Sequence, residues 1–247
     1  MLSSLARSNR AVSATDPLPR LAGVDAVLVD LYDTLVWSRW SVLRDRIAEE
    51  TGIQTRRLAQ AFVRTREARG VGAFGSPEGD ARAVLEATGL RPSDEDVRRI
   101  VAIERQVLVE DGGVVLYEDS LPALRSLRER GIRTAIVSNC DHLTRTIVDG
   151  LELAAEVDAV VLSFEVGVMK PDAGIYAHAL DRVGARAERT AFVDDQPGYL
   201  AGAEALGIRS FFINREGWEL ETGEIGERAV VTDLWDVIGA IDGSRPT

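Results

Sequence analysis

The sequence predicts a doubly wound α/β core, a parallel sheet with helices on both faces, interrupted by one helical insertion. Three observations carry this. Short β-branched runs alternate with helical stretches, those stretches tend to close on glycine, and one long segment keeps helical periodicity alone. The chain has 247 residues, 45% hydrophobic and 28% charged, which is ordinary globular usage and enough for one large domain or two modest ones.

In chain order the predicted strands are Ala26 to Asp30, Arg133 to Val137, Asp158 to Ser163, Thr190 to Asp194 and Arg209 to Ile213. The helices between them run from Ser120 to Arg130, His142 to Gly150, Asp172 to Gly184 and Gly198 to Leu206. Gly131, Gly150, Gly184 and Gly207 are read as their stops, because glycine accepts the left-handed turn that ends a helix. The stretch from Val36 to about Gly113 reads as strandless. Val97, Ile100, Val101 and Leu108 recur at helical spacing there, and Ser93 with Asp96 makes a helix start. Residues 37–113 are therefore expected to form the inserted domain, with Trp37 to Trp40 as its exit and Gly112-Gly113 as its return hinge. Residues 23–36 and 114–247 form the core, and residues 1–22 a disordered extension.

The net charge of −11 repels nucleic acid and anionic membranes, so a phosphate ligand needs a local attractor such as a cation. No apolar run approaches the ~20 residues of a membrane span. One cysteine, Cys140, forms no intrachain disulfide, and the expected location is cytoplasmic. Met1 to Arg20, rich in Ser, Ala and Arg, is alternatively a transit peptide.

The chemistry gathers at strand ends, where open α/β sheets bind ligands. The first strand runs into Asp30-Leu31-Tyr32-Asp33-Thr34-Leu35, the second into Ser138-Asn139, and the fourth into Asp194-Asp195. Lys170 follows the third, before a Pro171 suited to the first position of a helix. Three carboxylates at one sheet edge stay ionised only beside a cation, and Lys170 alone is too little. Oxygen ligands without clustered His or Cys favour a hard ion, Mg²⁺ above all, holding metal and phosphate together.

In their order and spacing, DLYDTL at 30 to 35, SN at 138 to 139, the stretch around Lys170 and FVDDQPG at 192 to 198 resemble the haloacid-dehalogenase superfamily of hydrolases. The resemblance implies a Rossmann-like core with a helical (C1-type) cap. It implies Asp30 as nucleophile, forming an aspartyl-phosphate, with Thr34 and Ser138 on the phosphoryl oxygens and Asn139 beside them. Lys170 would neutralise developing charge. Asp30, Asp194, Asp195 and the Tyr32 backbone carbonyl would hold Mg²⁺. The expected function is a metal-dependent phosphatase on a small phosphorylated metabolite, working as monomer or homodimer, with no nucleic-acid or membrane partner.

Tyr32 departs from the phosphatase pattern, whose second acid protonates the leaving group and then activates water. General acid–base catalysis is worth about 10²- to 10⁴-fold in rate, and a phenol is a poor base near neutrality. Tyrosine is also what metal-independent 2-haloacid dehalogenases of the superfamily carry, which makes that activity a rival; yet they generally lack the acidic pair kept here as Asp194-Asp195. A weakly active or non-catalytic phosphometabolite-binding protein is the third possibility. Asp33 is expected to point away.

Gly70, Gly72 and Gly75 spell GxGxxG without the preceding strand that dinucleotide binding needs, so a flexible loop is expected. Cys140 with His142 lacks a third orienting group for thiol catalysis, and His178 reads as a surface residue. Trp37, Arg39, Trp40, Arg64, Arg66 and Phe74 of the insertion are candidates for substrate contact.

Overall fold

A computed structural model describes residues 18, 20–217, 225–226 and 228–242. Six parallel strands form the main sheet: β1 (Ala26–Val29), β4 (Arg133–Ser138), β5 (Ala159–Leu162), β6 (Thr190–Asp194), β7 (Arg209–Ile213) and β8 (Ala229–Val231). They are ordered β5-β4-β1-β6-β7-β8. The chain moves outward from β1 on one side and then on the other, so the strand order reverses beside β1. This is the point at which such sheets open a crevice at their carboxyl ends. In register, Val29 lies beside Ile136 of β4 and Val193 of β6, which brings the three strand ends level.

The period-2 alternation of the strands divides the interior. Val27, Val29, Ile136, Ala191 and Val193 join one apolar cluster, and Ala26, Leu28, Ala135, Val137 and Phe192 join the other. Helices α5 (Ser120–Glu129), α6 (Leu143–Gly150) and α11 (Leu234–Asp242) feed the first through Leu124, Ile147 and Ile238. Helices α9 (Ala173–Val183) and α10 (Pro197–Glu204) feed the second through Tyr176 and Leu200. The sheet, buried on both faces, explains the near-continuous apolar runs of the sequence. Short helices α7 (Leu153–Glu156) and α8 (Ser163–Val166) fill the connections around β5.

Between residues 40 and 110 lie α1 (Trp40–Thr51), α2 (Thr55–Gly70), α3 (Pro77–Ala87), α4 (Asp94–Arg105) and a π-helical turn at Gln106–Glu110. Helix α4 begins as the sequence suggests. The Ser93 hydroxyl accepts from the Asp96 amide at 3.2 Å, and the Asp96 carboxylate accepts from the Ser93 amide at 2.9 Å. Its apolar residues Val97 and Ile100 belong to the same cluster as one face of the sheet.

The stretch from Val36 is not strandless. Val36–Ser38 forms β2, antiparallel to β3 at Val114–Leu116, and the Arg39 amide donates to the Gly113 carbonyl at 2.7 Å. The partners are far apart in sequence, and three residues are too few to display a period, so only the tertiary pairing reveals them. Two further expectations shift. Helix α6 runs through Gly150, and the left-handed turn falls on Glu152 (φ 56°), whereas Gly131, Gly184 and Gly207 all have positive φ. Pro171 is not the first helical residue: α9 starts at Ala173, capped by the Asp172 carboxylate accepting from the Gly174 amide at 2.7 Å.

Two of the GxGxxG glycines form a close-packing joint, and the third, Gly75, lies in open space. A Cβ on Gly70 would run into Met169 Sδ and one on Gly72 into the Phe164 carbonyl oxygen, whereas one on Gly75 would meet nothing. The end of α2 thus approaches the segment leading to Lys170 closely, as only glycine permits. No helix among the described residues is long and apolar enough to cross a membrane. The transit-peptide alternative and most of the expected N-terminal extension lie outside the described residues.

Candidate active site

Strand β1 delivers Asp30 to the carboxyl edge of the sheet, β6 delivers Asp194 and Asp195, and a loop from β5 delivers Lys170. The three carboxylates each offer an oxygen within 4.8 Å of the others. Lys170 Nζ donates to Asp30 Oδ1 and to Asp194 Oδ2, both at 2.6 Å, with its side chain 1% exposed. One ammonium among three carboxylates leaves two negative charges in excess, so the group calls for a divalent cation. The titration shifts agree. Burial pushes the Asp195 carboxyl up to about 6, with Asp30 adding to it. Burial also lifts Asp194, Lys170 opposing and Asp30 reinforcing. Burial works against charge on Lys170, but Asp194 and Asp30 outweigh it and hold the amine above the ordinary lysine value.

Two buried hydroxyls, Thr34 Oγ1 and Ser138 Oγ, have no hydrogen-bond partner among the described residues, and Ser138 lines the cleft beside the carboxylates. Leaving such a group unpaired costs about 1–3 kcal/mol, so Ser138 marks where a polar ligand belongs. A donor set of carboxylate oxygens beside an orphaned hydroxyl fits Mg²⁺ with a phosphoryl group.

Asn139 lines the cleft beside Ser138 and has a further task. Its amide accepts from the Lys170 amide at 2.7 Å and donates to the Lys170 carbonyl at 2.8 Å, so it fixes the main chain that carries the lysine. Arg215 plays a comparable part, and nothing in the sequence singles it out. Its guanidinium donates to the Thr34 carbonyl at 3.0 and 2.6 Å and pairs with Asp119 at 2.8 Å, holding the loop after Asp30 in place.

Tyr32 donates to or accepts from Thr144 Oγ1 at 3.1 Å, and burial raises its phenol above the ordinary tyrosine value. It can act as a donor but not as a base near neutrality. Asp33, expected to point away, lines the cleft instead, exposed at its mouth. Burial and then Asp30 raise its carboxyl. Cys140 is excluded as a nucleophile, because burial pushes its thiol up to about 12 and His142 Nδ1 faces Asp80 at 2.7 Å. His178 is exposed.

The carboxylates open into a cleft of about 590 Å³ roofed by α1 and α2. Of the insertion residues proposed to touch substrate, Trp40 and Arg66 line it. Trp37 and Arg39 stack on one another at 5.4 Å, Arg64 bonds the Ala87 carbonyl, and Phe74 does not line the cleft. Phe62, Val63 and Tyr199, which the sequence did not mark, do.

Residues 24–207 match the family of haloacid dehalogenase-like hydrolases. Phosphatase MT3486 of Mycobacterium tuberculosis (strain CDC 1551 / Oshkosh) is 29% identical over 53% of the chain and 58% of its own length. An (S)-2-haloacid dehalogenase 4A of Burkholderia cepacia is 30% identical over 41% of the chain and 44% of its own. The chain thus matches only about half the length of these two. Phosphoserine phosphatase of Thermus thermophilus is 30% identical over 85% of the chain and 96% of its own length. Among solved structures, a HAD phosphatase from Thermococcus onnurineus shares the fold at TM-score 0.63 and 20% identity, covering 90% of the chain and 100% of its own. A HAD family enzyme from Bacteroides thetaiotaomicron, in complex with magnesium and inorganic phosphate, does so at 0.60 and 19%, covering 78% and 96%. The four motifs at the sheet edge and the match over most of the sequence place the chain in the haloacid dehalogenase-like hydrolase family.

Proposed function

We propose that the chain is a Mg²⁺-dependent phosphatase acting on a small phosphorylated metabolite. The observation that carries this is the set Asp30, Asp194 and Asp195, too acidic for Lys170 alone, with the unpartnered hydroxyl of Ser138 in the same cleft. Asp30, Asp194, Asp195 and the Tyr32 carbonyl would hold the ion. Bound there, it neutralises the excess charge and draws phosphoryl oxygens to the site.

Lys170 engages Asp30 Oδ1 and leaves Oδ2 to attack phosphorus. The bond to the leaving oxygen breaks, that oxygen takes a proton from solvent water, and the phosphoryl group rests on Asp30. A second water then attacks phosphorus and gives its proton to solvent, the phosphorus–Asp30 bond breaks, and the carboxylate and inorganic phosphate are released. Thr34 and Ser138 donate to the phosphoryl oxygens, and Lys170 stabilises charge as it builds. Asn139 and Arg215 position Lys170 and the Asp30 loop. Residues 37–113 serve as a cap that forms one wall of the cleft. Position 32 carries a buried phenol in place of a carboxylic acid, so esters with acidic leaving groups are the better substrates.

Tyr32 favours a second reading, metal-independent dehalogenation, which Asp194 and Asp195 oppose. The deciding experiment incubates the full chain with an aryl phosphate and with 2-chloropropionate, each with Mg²⁺ and with EDTA. Phosphate release lost in EDTA is expected. Chloride release that survives EDTA would establish the rival, and neither product would leave a binding protein.

A further inference from the structure

The cleft is larger than one phosphoryl group requires and falls in the range of sites for organic ligands. Its two walls differ in charge. Every acid lining it, Asp30, Asp33, Asp141 and Asp195, comes from outside α1 and α2, whereas those two helices contribute arginines and no acid. Two of these arginines are already engaged: Arg69 is paired with Asp141, and Arg44 with its neighbour Asp45. Arg66 differs. Its helical neighbours Phe62, Val63, Arg69 and Gly70 include no acid, and the hydrogen bond it makes is to the neutral Tyr199 hydroxyl at 3.2 Å, across the cleft mouth. Tyr199 in turn lays its ring 5.0 Å from Lys170 Nζ, which links Arg66 to the catalytic floor through one side chain. The same helices bring apolar side chains open to solvent to the cleft: Trp40 is 42% exposed and Val63, one turn before Arg66, 74%. Large apolar side chains left in water at a cleft mouth are what an apolar ligand body covers.

We propose that the substrate's leaving group carries a flat apolar body and a second anionic group, carboxylate or phosphate. The body lies against Trp40, Phe62 and Val63, and the second anion pairs with Arg66, whose planar guanidinium suits either. This rests on the phosphatase assignment for the first phosphate and adds the class of molecule attached to it. Arg66 and Trp40 are thereby specificity-determining residues.

The test uses non-hydrolysable phosphonates with the full chain and Mg²⁺, read by titration calorimetry. Methylphosphonate, benzylphosphonate, 4-carboxybenzylphosphonate and p-xylylenediphosphonate form the series. The benzyl group is expected to tighten binding several-fold, and the second anion by about a further two- to fivefold, the scale of an exposed charged pair. The better of the two anions identifies which is read. Arg66→Ala should erase the second gain and Trp40→Ala the first. Arg56→Ala, an exposed arginine of α2 outside the cleft, should erase neither. Equal binding of benzylphosphonate and both doubly charged analogues, a gain that survives Arg66→Ala, or no binding of any analogue overturns the proposal. Hydrolysis of phenyl phosphate, measured in parallel, reports separately on the phosphatase assignment. A flat binding series with hydrolysis intact sinks only the specificity claim, and an intact series without hydrolysis sinks only the phosphatase.

Discussion

At the carboxyl edge of the sheet, Lys170 stands among Asp30, Asp194 and Asp195; at the seam between the inserted helices and the loop after β4, Arg69 stands among Asp141, Asp80 and Glu104. Both clusters are largely buried and both are rich in acid. At the seam the charges are answered from within the protein. Arg69 pairs with Asp141, Asp80 shares a hydrogen bond with His142 Nδ1 at 2.7 Å, and burial, with Asp141 adding, pushes Glu104 up to about 8, so that it keeps its proton near neutrality. The space enclosed there is about 10 Å³, room for no more than a single water, although Asp80 Oδ1 lacks a partner. At the sheet edge the acids face about 590 Å³ of open cleft beside the orphaned hydroxyl of Ser138. Acid count therefore does not make a site. Open volume and unanswered donors do.

The comparison breaks first at Asp30. Replacing it with Asn should cut phosphate release by at least about 10³-fold, the scale of losing a nucleophile, with far-UV circular dichroism unchanged. Retained turnover would move the chemistry elsewhere. Tyr32, bonded to Thr144 and felt by Asp141, stands between the clusters. Tyr32→Asp should raise hydrolysis of alkyl phosphates by about 10²-fold, by restoring an acid and base. A fall would give the phenol a role of its own, and rates across graded leaving groups would show it.

Arg215→Met strands Asp119, whose side chain is 11% exposed, and frees the Thr34 carbonyl. A stability loss of about 3 kcal/mol is expected, or about 10 °C in melting temperature, with lowered turnover. The smallest effect sharpens the contrast at the seam. The folded-state pKa of Glu104 lies above its ordinary value, so its protonated form favours folding, and stability falls as pH rises from about 4.5 through about 8. Glu104→Gln should remove that slope and raise the melting temperature at pH 9 by about 5 °C relative to the parent. Parallel melting curves of the two proteins from pH 5 to 9 would refute it.

The site was legible because each motif sits at the end of a β-branched run, and strand ends in a parallel sheet share an edge. Asp30, Ser138, Lys170, Asp194 and Asp195 could thus be grouped from the sequence. Arg215 and Tyr199 could not, because neither stands in a motif and each acts through a partner remote in sequence. Asn139 was found for its position but not for its task, since nothing local reveals that its amide serves the Lys170 main chain. Gly70 and Gly72 show the same limit: their use depends on Met169 and Phe164, far along the chain.

Local chemistry, written in hydrophobic period, helix stops and acids at strand ends, determined the sheet, its covering helices and the floor of the site. Tertiary structure alone decided the β2–β3 pair, which of the inserted arginines faces the cleft, and which acid cluster stays open. Those depend on contacts between distant segments, and an arginine on a helix has the same sequence neighbours whichever way its face is turned.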